Sequence, residues 1–178
     1  ADLLAELGCF RIWIGSESGS QRILDAMERG VSVEQVQAAV ELCRNRGIQT
    51  GMFLMWGYEG EQIEDIEATV EHVKRSDPDV FFTTVAYPIK GTAYYEQVNA
   101  RVALPEAAWE ETSDRELRVR GRHSRRYYQY ADQLLREEVA MARMARSSLH
   151  EGSEMALLRE RISAAREGLH TTSTEMEA

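Results

Sequence analysis

The sequence predicts an α/β fold: a partial (β/α) barrel of about three parallel strands with helices, followed by a C-terminal helical extension. Three observations carry this. Apolar and β-branched runs at Ile12 to Ile14, Ile48 to Trp56 and Val80 to Ala86 suit buried strands. The segments between them place apolar residues at three- and four-residue spacing, as helical crossovers require. Each strand runs into a turn carrying glycine.

In order, Leu3, Leu4 and Leu7 read as the last turns of a helix stopped by Gly8. The chain starts in mid-pattern without methionine, so its N-terminus is expected to be a cut. The first strand leads into Gly15-Ser16-Glu17-Ser18-Gly19-Ser20, a lone carboxylate among serines and glycines. Strand-to-helix turns of this kind are where α/β folds place ligand-binding groups, and glycine lets backbone approach a ligand closely. The plainer alternative is a connecting loop with Ser20 as helix N-cap. A helix is expected from Gln21 to Arg29, with Ile23, Leu24 and Met27 on one face and Gly30 as its stop. Ser32 and Gln35 form a capping-box pattern. Val36, Ala39, Val40 and Cys43 follow on one stripe, ended by Gly47.

The run Met52 to Trp56 is nearly continuous in apolar residues and predicts a strand buried on both faces. One of those faces must line the barrel lumen. After the turn Gly57-Tyr58-Glu59-Gly60-Glu61, Ile63, Ile66, Val70 and Val73 mark a helix to about Arg75, broken at Asp77-Pro78. The third strand ends in Tyr87-Pro88-Ile89-Lys90-Gly91-Thr92. Glu17, Gly57 and Tyr87 should therefore lie side by side at one rim. The reading divides the chain into a barrel piece over 1–100, a helical extension over 101–170 and a disordered polar tail over 171–178. In the extension, Pro105 to Trp109 reads as a helix start. Long helices are expected to about Ser148 and from Ser153 to Glu167.

A chain of 178 residues can bury one real core. Its net charge of −9 argues against a dedicated nucleic-acid binder. No apolar run approaches the roughly 18–20 residues of a membrane span. Cys9 and Cys43 lack metal-ligand spacing and read as core residues, in keeping with a reducing cytoplasm.

Four motifs, in this order and spacing, resemble the C-terminal half of a radical S-adenosylmethionine (SAM) domain. They are Ile14 to Ser20, Met27-Glu28-Arg29-Gly30, Gly51 to Gly60 with its Gly-Tyr-Glu-Gly-Glu end, and Tyr87 to Thr92. Thr112 to Arg115 and Arg120 to Tyr128 resemble the tail of the cobalamin-binding subgroup. That subgroup includes the anaerobic magnesium-protoporphyrin monomethyl ester cyclase. The resemblance implies SAM, a [4Fe–4S] cluster and, in that subgroup, cobalamin. The reduced cluster cleaves SAM to a 5′-deoxyadenosyl radical that abstracts hydrogen from a small-molecule substrate. Many cobalamin-type members transfer methyl groups or rearrange carbon skeletons.

Carried over by residue, the resemblance assigns Glu17 to the ribose hydroxyls, as a carboxylate accepting from both; a solvated turn acid is the alternative. Arg29 matches a contact to the SAM amino-acid moiety, against a helix-end base complementing the dipole. Phe53 stands where related groups hold an aspartate, so it packs on SAM, on substrate or in the core. Ala86, Tyr87 and Pro88 match the segment lying against the adenine, mostly through backbone. The CxxxCxxC cluster motif is absent from this chain. The SAM amino-group motif and the cobalamin domain, both expected upstream, are absent too. The chain is thus expected to need the upstream half of the barrel as partner and to be inactive by itself. A non-catalytic binding or interaction module and half of a barrel-type aldolase or isomerase are the rival readings. The latter would want a lysine or paired acids at strand ends. Six arginines between Arg115 and Arg126 could hold an anionic substrate group or an RNA backbone. A salt-bridging surface segment, with tyrosines packed on the barrel and a structural His123, is the simpler reading.

Overall fold

The computed structural model describes residues 1–103, 114, 117–147 and 152–177. The expected helix start over Pro105 to Trp109, and Thr112, Ser113 and Arg115 of the tail motif, lie outside the described residues. In chain order the elements are α1 (Asp2–Glu6), β1 (Arg11–Glu17), α2 (Gln21–Ala26), α3 (Val33–Arg44), β2 (Gln49–Trp56), α4 (Ile63–Ser76), β3 (Val80–Val85) and α5 (Ala93–Val98). A 3-10 turn, Asn99–Arg101, precedes β4 (Val102–Ala103), β5 (Arg118–Val119), α6 (Arg125–Arg146) and α7 (Gly152–Thr172).

Strands β1, β2 and β3 form one parallel sheet in that order, with Ile14, Met52 and Phe81 in register across it. Helical crossovers joining parallel strands are what the three strand–helix repeats predict. Alternation sorts the side chains. Met52, Leu54 and Trp56 of β2 bury themselves against Val36 and Val40 of α3, Ile66, Val70 and Val73 of α4, and Tyr127, Ala131, Leu134 and Leu135 of α6. The second core layer is α7, which docks on α6 through Ile162, Ala165 and Leu169.

Beneath the other face no helix is packed among the described residues, and three aromatic rings occupy it. Trp13, Phe53 and Phe82 are 42%, 46% and 52% exposed. Their rings stack at 4.9 Å (Trp13–Phe53), 5.5 Å (Trp13–Phe82) and 6.2 Å (Phe53–Phe82). The expectation that β2 is buried on both faces is therefore corrected. Its second face also uses apolar side chains, so the run of hydrophobicity hides the alternation.

Three further expectations change. Helix α2 stops at Ala26, well short of Arg29. Glu28 and Gly30 both adopt left-handed backbone, with φ of 53° and 67°, and turn the chain out of the helix. Second, Ser20 does not cap α2 with its side chain; its hydroxyl donates to Asp65 Oδ1 at 2.6 Å. Third, residues 171–177 are not a loose tail. Thr171 and Thr172 close α7, and the chain then runs antiparallel to 121–124. Gly121 N donates to Glu177 O (3.1 Å), Glu177 N to Arg122 O (2.7 Å) and Ser124 N to Glu175 O (2.8 Å). The capping box at Ser32 and Gln35 forms as expected.

Candidate functional site

The site is built on the ends of the three parallel strands. At Ser16 a β-bulge shifts the register, so that Gly15 opposes Phe53 while Glu17 opposes Leu54. Bulges re-aim side chains beside functional sites. Here Glu17 takes φ 60°, a left-handed conformation that non-glycine residues seldom adopt. Its carboxylate folds back over Gly15: a Cβ placed there would lie 2.8 Å from Glu17 Oε1 and 3.0 Å from Arg29 Nη2. Arg29 Nη2 donates to Gly15 O at 2.7 Å and stands 3.9 Å from Glu17 Oε1. Burial pushes the Glu17 carboxyl up from its usual range, and the Arg29 guanidinium partly offsets that. Phe53 pairs with Gly15, so its ring lies on the next strand beside this carboxylate–guanidinium pair.

A polar network pins the loop after β1 to α4. Ser16 Oγ meets His72 Nε2 at 2.9 Å, and Gln37 Nε2 donates to His72 Nδ1 at 3.2 Å. That arrangement leaves Nε2 as the protonated ring nitrogen donating to Ser16. Burial lowers the His72 pKa to about 4, so the ring is neutral. Ser18 Oγ and Gly19 N both bond Thr69 Oγ1, at 3.2 and 2.9 Å. Asp65 takes the Ser20 hydroxyl and pairs with Arg22. Gly19 lies so close to α4 that a Cβ would sit 2.5 Å from Ala68 O and from Thr69 Cα. Its small size therefore serves helix packing, whereas Gly15 seats the acid.

The loop after β2 is held differently. Gly57 N donates to Glu61 Oε2 at 2.6 Å, while the buried Glu61 Oε1 has no hydrogen-bond partner among the described residues. Burial is the main cause raising the Glu61 pKa to about 8. A Cβ on Gly57 would meet Tyr128 Cζ at 2.8 Å and Arg122 Cδ at 3.2 Å, both from the C-terminal extension. At the end of β3, Ala86 N donates to Trp56 O at 2.7 Å, and Ala86 O accepts from Arg122 Nη1. Ala86 and Pro88 are buried; Tyr87 is half-buried.

Glu17, Arg29 and Phe53 are thus brought together. Ala86 follows β3, on the far side of β2 from Glu17, roughly 10 Å away across two strand spacings. Residues 86–88 share the strand-end rim with the acid without touching it in any described contact. The sequence reading missed Glu61 as a buried acid, His72 as the hub under the β1 loop, and Arg122. Nothing distinguishes Arg122 from its five neighbouring arginines in the sequence. Two of the six arginines form ion pairs: Arg118 with Glu177 and Arg126 with Glu175. Tyr127 and Tyr128 are buried against the barrel. A cavity of about 180 Å³ lies elsewhere, lined by Glu67, Val70, Glu71, Leu134 and Arg166. The described residues contain no cluster of three or more His, Cys, Asp or Glu able to hold a metal.

Residues 1–73 match the model of the radical SAM superfamily. The match takes in the first two strands and the helices that follow them. Over 110 residues the chain is 33% identical to an uncharacterized methyltransferase of Pyrococcus horikoshii, covering 61% of this chain and 24% of that protein. Over 102 residues it is 28% identical to the anaerobic magnesium-protoporphyrin IX monomethyl ester cyclase of Rubrivivax gelatinosus, covering 57% and 18%. The chain spans about a quarter or less of the curated relatives' length. Among solved structures, the radical SAM methyltransferase TsrM from Kitasatospora setae, with cobalamin and a [4Fe-4S] cluster bound, shares the fold at a TM-score of 0.57. That match has 17% identity and covers 93% of this chain and 42% of that one. The matched segment spans α1 to most of α4, and so includes both the Glu17–Arg29 pair and the network beneath it. No helix among the described residues is long and apolar enough to cross a membrane.

Proposed function

We propose that this chain supplies the ribose and adenine side of a SAM site in a radical SAM enzyme, and that turnover requires cluster ligands that its own residues do not provide. The supporting observation is the Glu17 carboxylate, laid over Gly15 on the open sheet face, half-buried and steadied by Arg29. A carboxylate so placed accepts from two vicinal hydroxyls. Arg29 offers further donors to an anionic group such as a SAM carboxylate. Phe53 gives the neighbouring apolar surface. Both backbone groups of Ala86 are engaged within the protein, and the resemblance to an adenine-contacting segment continues over Tyr87 and Pro88.

When bound, SAM supplies the 5′-deoxyadenosyl group used for hydrogen abstraction. The residues of this chain bind and orient it. The cluster does not fit here: Cys9 and Cys43 are two thiols without triplet spacing. A cluster at this site would take its thiolate ligands from elsewhere. A reducing cytoplasm suits the two unpaired thiols.

The test is anaerobic reconstitution of the full-length protein, with iron quantified and 5′-deoxyadenosine measured. Glu17→Gln is expected to raise the KM for SAM about tenfold with iron content unchanged. An unaltered KM would remove Glu17 from the site. A full-length protein that binds no iron would favour the rival reading of a non-catalytic module.

A further inference from the structure

The residue that ties the extension to the strand ends is Arg122. Its Nη1 donates to Ala86 O, at the start of the segment that follows β3. Its side-chain stem packs where a Cβ on Gly57 would stand, 3.2 Å away at Cδ. The guanidinium lies 6.0 Å over the Tyr128 ring, and its charge acts on the buried Glu61 carboxyl. One side chain therefore touches the loops after both β2 and β3. Its own backbone is held in turn by the end of the chain. Arg122 O accepts from Glu177 N at 2.7 Å, and the neighbouring Gly121 N donates to Glu177 O at 3.1 Å.

We infer that Arg122 is a positioning residue for the adenine side of the site: it fixes the backbone at Ala86 and so sets how Tyr87 and Pro88 are presented. The inference rests on the SAM reading above. It adds that affinity for the nucleoside depends on a part of the chain far from it in sequence. The guanidinium suits this role because it is planar, always charged and able to serve a carbonyl with one nitrogen while stacking on an aromatic ring. A lysine could donate to Ala86 O but could not also stack in the same way.

The test uses the full-length, reconstituted protein and three titrants: SAM, S-adenosylhomocysteine, and methionine, which lacks the adenine and ribose. Arg122→Ala is expected to weaken both nucleosides about tenfold, the value of one lost hydrogen bond to a positioned group, and to leave methionine binding and iron content unchanged. Arg122→Lys is expected to recover part of the loss. Equal weakening of all three titrants would mean a general structural role and overturn the inference, as would nucleoside binding unchanged in Arg122→Ala. If Arg122→Ala does not fold, Arg122→Lys decides alone: a nucleoside-selective loss of a few fold supports positioning, and none opposes it. Wild-type protein that binds no SAM would sink the underlying reading itself. Wild-type binding with an indifferent Arg122→Ala would sink only this inference.

Discussion

The loops after β1 and β2 do the same job by opposite means. The first is tied to α4, the helix after the next strand, by side-chain hydrogen bonds between Ser16 and His72, Ser18 and Thr69, and Ser20 and Asp65. The second leans on side chains from the extension more than sixty residues on, Arg122 and Tyr128, around a buried acid. The first loop is therefore a property of residues 1–73 themselves. The second is a property of how that segment meets the extension. Each loop sits over a buried group held neutral, a base in one and an acid in the other. His72 under the first loop is buried in its neutral form, and Glu61 in the second is held toward its neutral form at physiological pH.

Gly19→Ala is the hardest blow to the first loop. Its Cβ would collide with the α4 backbone, which cannot move aside as a flexible side chain could. A loss of about 3 kcal/mol in urea unfolding is expected. A loss under about 1 kcal/mol would mean that the loop is not clamped to α4. Ser16→Ala should cost about 2 kcal/mol, because it leaves the buried His72 N–H without an acceptor. A variant as stable as wild type would show that the serine is dispensable.

Glu61→Gln probes the second loop through pH. The folded pKa of about 8 exceeds the unfolded value near 4.5, so the unfolded chain releases the proton first as pH rises. Stability from this group is present at low pH and declines up to about pH 8. His72 has the opposite sign, since its folded pKa lies below the unfolded 6.5; stability is lost as pH falls from 6.5 through 4. Between pH 6.5 and 8 only Glu61 contributes a slope. Wild type should lose about 1–2 kcal/mol across that interval and Glu61→Gln should stay flat. Parallel curves for the two proteins would place Glu61 in contact with solvent.

Much of this was legible in the sequence because it is local. The three strands, the α3 capping box and the break at Asp77-Pro78 each arise from residues adjacent to where they act. Asp77 does take a left-handed φ of 46° as α4 ends. What escaped was what other elements decide. The end of α2 is set by Glu28, which adopts a conformation usually left to glycine. The open face of β2 could not be told from its core face, because Gly51, Phe53 and Met55 are as apolar as Met52, Leu54 and Trp56. Ser20 looked like a helix N-cap, and its hydroxyl turns to Asp65 of α4 instead. The polar end of the chain looked unstructured, since main-chain pairing with 121–124 leaves no mark in side-chain composition. Of the candidate site, the Glu17–Arg29 pair was visible from the motif. Its neighbours Glu61 and Arg122 owe their meaning to contacts across the fold.

Gly15 has one more consequence. The volume a side chain would take there is filled by the carboxylate of its neighbour but one, so the acid lies flat against the strand instead of standing off it. The height of that negative charge above the sheet is therefore set by the smallest residue in the motif. Any larger residue at 15 would displace the acid and its guanidinium together, with every functional group still in place.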